Sequence, residues 1–163
     1  MILASEQLGI YIRRELENLS QLVRLAEQRI ASARMKPDEA DAYIESAALH
    51  LQSFYTAAEQ ILTRIAENIN GSLPGGETWH ADLLRQMTYE VPGRRPAILR
   101  LETHDLLDEL RGFRHRVRNI YTFRLNPERV TSLVADLPKT YAALSQDLET
   151  FILFLEALPG GKG

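Results

Sequence analysis

Ser5–Ala33, SEQLGIYIRRELENLSQLVRLAEQRIASA, decides the fold. Its apolar residues recur at Ile12, Leu16, Leu19, Val23, Ala26 and Ile30 in alternating steps of four and three, the seam of a long helix packed nearly parallel to its neighbours. After Gly9 neither glycine nor proline interrupts it. Downstream, Met35-Lys36-Pro37-Asp38 is read as the break, with Asp38 as the N-cap of a second helix.

That second helix repeats the seam at Ile44, Ala47, Leu51, Phe54, Ala58, Ile61 and Ile65, and is expected to stop at Asn70-Gly71, where glycine allows a left-handed cap. Two long seams joined by a short connection form an antiparallel hairpin. SLPGGET (72–78) is a loop by composition, and Glu77 or Thr78 opens a shorter helix with Trp79, Leu83 and Leu84 inward. YEVPGRRPAI (89–98) predicts a turn at Pro92-Gly93 that leaves Arg94 and Arg95 exposed. Thr103 is read as the next N-cap, for a fourth helix running to Phe123–Asn126. Asn126-Pro127 then opens the last helix, whose seam is Val130, Val134, Leu137, Tyr141, Leu144, Leu148, Phe151 and Leu155. Pro138 is expected to kink or break that helix.

No strand pattern occurs, so the fold class is all-α: an up-down antiparallel bundle of about five helices in a single domain over 1–158, followed by a flexible tail at 159–163. With 45% hydrophobic and 25% charged residues, the composition suits a soluble globular protein able to bury a core without staples. Cysteine is absent, which excludes thiol catalysis, cysteine-ligated zinc and disulfides. The N-terminus does not read as a signal peptide and no run is long enough for a membrane span, so a cytoplasmic location is expected.

The formal net charge of -3 argues against a surface coated with basic residues. The average hides an asymmetry, because nine arginines fall between Arg94 and Arg129. ELRGFRHRVRNIYTFRLNP (109–127) holds most of them. Wound as a helix, it sets Arg111, Arg114, His115, Arg118, Asn119 and Thr122 in one sector and Leu110, Phe113, Val117 and Ile120 in the other, with Tyr121 on the flank. Like charges at helical spacing repel by a few tenths of a kcal/mol per pair, so propensity does not explain them. Guanidinium groups hold phosphate oxygens bidentately, and His115 is the one base in the stripe that exchanges a proton near neutrality. A solvated face paired with acidic neighbours accounts for the same pattern.

Other residues are assigned blander roles. His50 is read as a satisfied, half-buried histidine, and His80 and His104, near helix starts, as facing solvent. No histidine and carboxylate share metal-ligand spacing, and no phosphate-binding glycine loop is present, so neither a metal nor another cofactor is expected.

The segment Phe113-Arg114-His115-Arg116-Val117-Arg118-Asn119-Ile120-Tyr121, with Leu125-Asn126-Pro127-Glu128-Arg129-Val130, resembles the motif region of HepT-like proteins of the HEPN superfamily. These are small helical bundles carrying an arginine, four to six residues and a histidine, often with a polar residue after the arginine and a tyrosine two places after the histidine. Arg114 matches the arginine, His115 the polar residue and Tyr121 the tyrosine, while Asn119 stands where histidine is expected. The resemblance implies a metal-independent endoribonuclease toxin of a type VII-like toxin–antitoxin pair, acting on RNA as a homodimer. Its antitoxin would be a minimal nucleotidyltransferase that attaches AMP to Tyr121. On this reading Arg114, His115 and Asn119 are the catalytic candidates and Arg111 and Arg118 the RNA phosphate ligands. Asparagine cannot exchange a proton near neutral pH, so three alternatives stand: His115 supplies the base, catalysis rests on positioning alone, or the protein binds RNA or its partner without cutting.

Overall fold

The computed structural model describes residues 4–121 and 124–159. Among them there are five α-helices and no strand: α1 (Ser5–Met35), α2 (Ala40–Ile65), α3 (Trp79–Gln86), α4 (Leu101–Val117) and α5 (Pro127–Glu156). α1 lies along α2 and α5, α2 also meets α4 and α5, and the short α3 is set against α4 and α2. One hydrophobic cluster draws on all five helices, and it contains every residue of the α1 and α2 seams. The α5 seam is buried as well, except for Tyr141, which packs against the cluster from outside. No helix among the described residues is long and apolar enough to cross a membrane.

The ends of the helices depart from the sequence expectations in ways that shape the site. Asp38 does not cap α2; Pro37–Glu39 form a single 3-10 turn, and α2 begins at Ala40. The far end of α2 loosens into a π turn, Ala66–Asn70, closed by Gly71 at φ 79°, whose amide donates to the Ala66 carbonyl at 3.0 Å. A left-handed residue is required there, so the glycine cap is as expected.

Arg94 and Arg95 close the same corner. Arg94 is exposed yet donates to the carbonyls of Ile69 and Asn70, at 3.2 and 3.1 Å. Arg95 is not exposed upon the turn: it is 3% accessible and donates to the Asn70 side chain and to the Gln86, Tyr89 and Pro96 carbonyls. The Pro/Gly stretch leaves these carbonyls without a helical ladder, and one guanidinium satisfies them together.

α4 starts three residues earlier than expected, with Arg100 rather than Thr103 at the N-cap position. The Ile98 and Leu99 amides both donate to the Met87 carbonyl, and Asp147 of α5 accepts from the Arg100 amide at 3.1 Å and its Nε at 2.6 Å. A carboxylate from another helix therefore stands at the α4 N-terminus, where negative charge is favoured. Thr103 is buried instead, with its hydroxyl unpaired.

The other end of α4 is earlier than expected too, at Val117 rather than Phe123–Asn126. The Asn119 amide bonds to the Arg116 carbonyl and that of Ile120 to Val117, so the winding has tightened to i→i+3 bonds. The Asn119 side chain donates to the His115 carbonyl at 3.3 Å, offering the backbone an alternative to another turn. The residues that follow, Ile120, Tyr121, Thr122 and Phe123, are β-branched or aromatic and propagate a helix poorly.

Asn126 caps α5 as expected, its Oδ1 accepting from the Glu128 and Arg129 amides at 3.0 and 3.3 Å. Pro138 does not break α5, which is continuous from Pro127 to Glu156. Three helices, α1, α2 and α4, pack against α5, and that packing outweighs the one hydrogen bond a proline removes. The expected tail at 159–163 lies outside the described residues beyond Pro159.

Candidate functional site

Arg111, Arg114, His115 and Arg118 line a cleft of about 270 Å³, closed on its other side by Glu77, Thr78, His80 and Ala81 from the start of α3. The spacing predicted that these four share a face, and they do. The opposite face goes to the core, where Leu110 and Phe113 are buried and Val117 packs against the cluster. Ile120, expected in the core sector, is exposed because the helix has ended.

Part of the basic character belongs to the helix itself. Arg114 and Arg116 occupy the last turn of α4, where positive charge offsets the macrodipole by roughly 0.3–1 kcal/mol each. The remainder is directional. Arg111 donates to Asp108 at 2.7 Å, but Arg114 and Arg118 have no carboxylate or carbonyl partner among the described residues. The Arg114 guanidinium lies 6.0 Å from the ring centroid of buried Tyr55.

The expected site residues are not all brought together. Asn119 is exposed on the turn after α4, does not line the cleft, and has its amide on the His115 carbonyl. Tyr121 is 68% exposed beyond that turn, with the Arg124 guanidinium 6.0 Å from its ring. Thr122 lies outside the described residues.

Sequence reasoning placed His80 in solvent, and the structure corrects this. Its Nδ1 stands 2.6 Å from Glu59 Oε2, its ring lies against Trp79 with centroids 3.7 Å apart and planes tilted by 30°, and the residue lines the cleft. Glu59 is buried on α2 and also accepts from the Tyr55 hydroxyl at 2.7 Å. Burial, then the hydrogen bond to Glu59, pushes the Tyr55 phenol well above its usual range, so it remains a donor. One signal was legible: Tyr55 and Glu59 are four apart, hence on one face of α2, with Glu59 beside a seam that should be apolar. The pairing with His80, across a loop, was not.

A larger cleft, about 440 Å³, lies between the start of α1 and the end of α5. Its one cation, Arg13, already pairs with Glu149 and Glu156 at 3.7 and 3.2 Å. It has nothing to offer an anion.

The family model described as HepT-like protein matches residues 46–155, more than half of the chain, and the match includes both walls of the arginine cleft. The chain belongs to the HepT-like proteins of the HEPN superfamily. Searches of the curated proteins and of the solved structures returned no significant match. In this HepT-like chain Arg114 stands on the cleft wall and Asn119 outside the cleft lining. Among the described residues no group of three or more His, Asp and Glu is placed to hold a metal ion.

Proposed function

We propose that this protein is a metal-independent endoribonuclease of the HepT kind, the toxin half of a pair whose antitoxin is a small nucleotidyltransferase. The observation that carries this reading is the cleft wall itself: Arg111, Arg114 and Arg118 face one space, and two of them have no acidic partner among the described residues. In that arrangement Arg114 and Arg118 hold the scissile phosphate and the charge that builds on it, and Arg111 holds a neighbouring phosphate. His115, on the same wall, donates a proton to the leaving oxygen. Asn119 has no part in proton transfer, since its amide is committed to the helix end. A homodimer that sets two such clefts side by side agrees with the small size of each, which suits one or two nucleotides.

Incubating the purified protein with a randomised RNA pool, beside Arg114→Ala, tests the reading. Cleavage that requires Arg114, continues in a chelator and leaves cyclic phosphate ends is the expected result. No Arg114-dependent cleavage would remove the enzyme reading.

A second reading keeps the partner and drops the cutting: a helical module whose basic face docks the nucleotidyltransferase. The high exposure of Tyr121, next to the arginine turn, favours contact with a partner enzyme at this spot. Mass spectrometry after coexpression is expected to find added AMP on Tyr121. Modification at another residue, or none, defeats that assignment.

A further inference from the structure

From the juxtaposition of Glu59, His80 and the arginine row, we infer that His80 is the general base of the cleft and that Glu59 is its positioning residue. The inference rests on the ribonuclease reading and supplies the base that asparagine at position 119 leaves missing.

Glu59 Oε2 receives the Tyr55 hydroxyl at 2.7 Å and faces His80 Nδ1 at 2.6 Å. The phenol is the donor in its own bond, and an ionised carboxylate only accepts. Taken as the acceptor in both bonds, the Glu59 carboxylate places the His80 hydrogen on Nδ1. The proton-accepting nitrogen is then Nε2, on the far side of the ring from Glu59, and His80 lines the cleft. The Trp79 ring, 3.7 Å away and tilted by 30°, limits how the imidazole can turn.

A purely structural role explains this less well. A carboxylate that is 7% exposed is costly to bury, and packed apolar residues fill such a position at lower cost. The Tyr55–Glu59–His80 chain runs from the core to one place, the wall facing Arg111, Arg114 and Arg118. Arg114 adjoins both ends of it, lying over the Tyr55 ring and sharing the cleft with His80. A buried carboxylate behind an imidazole is the arrangement that fixes a tautomer and stabilises the imidazolium formed on proton uptake.

The step balances without any added reagent. His80 Nε2 takes the proton of a ribose 2′-hydroxyl, the 2′ oxygen bonds to phosphorus, and the bond from phosphorus to the 5′ oxygen breaks. The leaving oxygen takes a proton from the His115 imidazolium, and the products are a 2′,3′-cyclic phosphate and a 5′-hydroxyl. Arg114 and Arg118 stand where charge builds on the phosphate.

Single-turnover cleavage of the randomised RNA pool by the full chain tests this, with wild type, His80→Asn, His80→Ala, Glu59→Gln and Arg114→Ala compared. His80→Asn is expected to slow cleavage about 100-fold or more, while binding of the matching DNA-substituted, uncleavable pool changes less than about twofold. Added imidazole is expected to restore part of the rate to His80→Ala and none to Arg114→Ala. Glu59→Gln is expected to lower the rate at least about tenfold without changing that binding. Arg114-dependent cleavage that survives His80→Asn within about threefold would overturn the dyad and leave the ribonuclease reading standing. A wild type that cleaves nothing would overturn both.

Discussion

Arg95 and Arg114 come from one arginine-rich stretch, and the fold treats them in opposite ways. Arg95 is 3% exposed, with every branch of its guanidinium donating to an oxygen of the corner it closes. Arg114 is half-buried over a tyrosine ring and faces a cleft without an oxygen partner among the described residues. The difference lies in the neighbouring backbone. A Pro/Gly loop presents stray carbonyls that need a donor, whereas a helix has already satisfied its own, so an arginine on its face is left for something else. A charge count along the chain does not separate the two.

The largest effect that would break this contrast concerns stability. Arg95→Ala strands the Gln86, Tyr89 and Pro96 carbonyls in a part-buried corner, and leaving such groups unpaired costs about 1–3 kcal/mol each. The expected loss is about 3 kcal/mol or more, read from the urea midpoint at constant m. Arg114→Ala removes a ring contact alone and is expected to change stability by less than about 1 kcal/mol. Its effect falls on the chemistry, where a loss of about 100-fold in cleavage corresponds to about 2.7 kcal/mol of transition-state binding. Equal losses of stability in the two variants would make Arg114 a second structural arginine.

What was legible in the sequence follows the same division. The three long seams were readable because burial along a packed helix imposes a period that local chemistry rarely overrides. Three arginines and His115 on one face followed from that period alone. The ends of α4 were not readable, since its start is set by Asp147, 47 residues away, and Thr103 imitates a cap that is not used. Continuing the helix through Asn119 and Tyr121 extended a period past the point where Asn119 turns its amide back on the chain. His80 was missed for a related reason: its meaning depends on Glu59, 21 residues earlier on another helix. His50, expected to be satisfied, has a buried Nε2 without a partner, and burial followed by the nearby Arg29 charge pulls its pKa below the ordinary value.

The smallest expected effect carries the most information about the family motif. Asn119→His restores the residue that the HepT-like pattern calls for, so a reading from the motif alone requires a large gain in cleavage. The structure argues otherwise. Position 119 is exposed on the turn, outside the cleft lining, and its side chain is held by the His115 carbonyl. An imidazole there gives up that bond, worth about 1 kcal/mol, and adds a base to a site that already has His80 and His115 on its walls. Cleavage by Asn119→His is therefore expected to stay within about threefold of wild type, in the same single-turnover assay and with the same cyclic phosphate ends. A rise of tenfold or more would mean that the turn closes over the phosphate when RNA is bound. In that case the base belongs on the turn after α4, beside the arginines, and the Glu59–His80 pair returns to the structural side of the contrast, with Arg95.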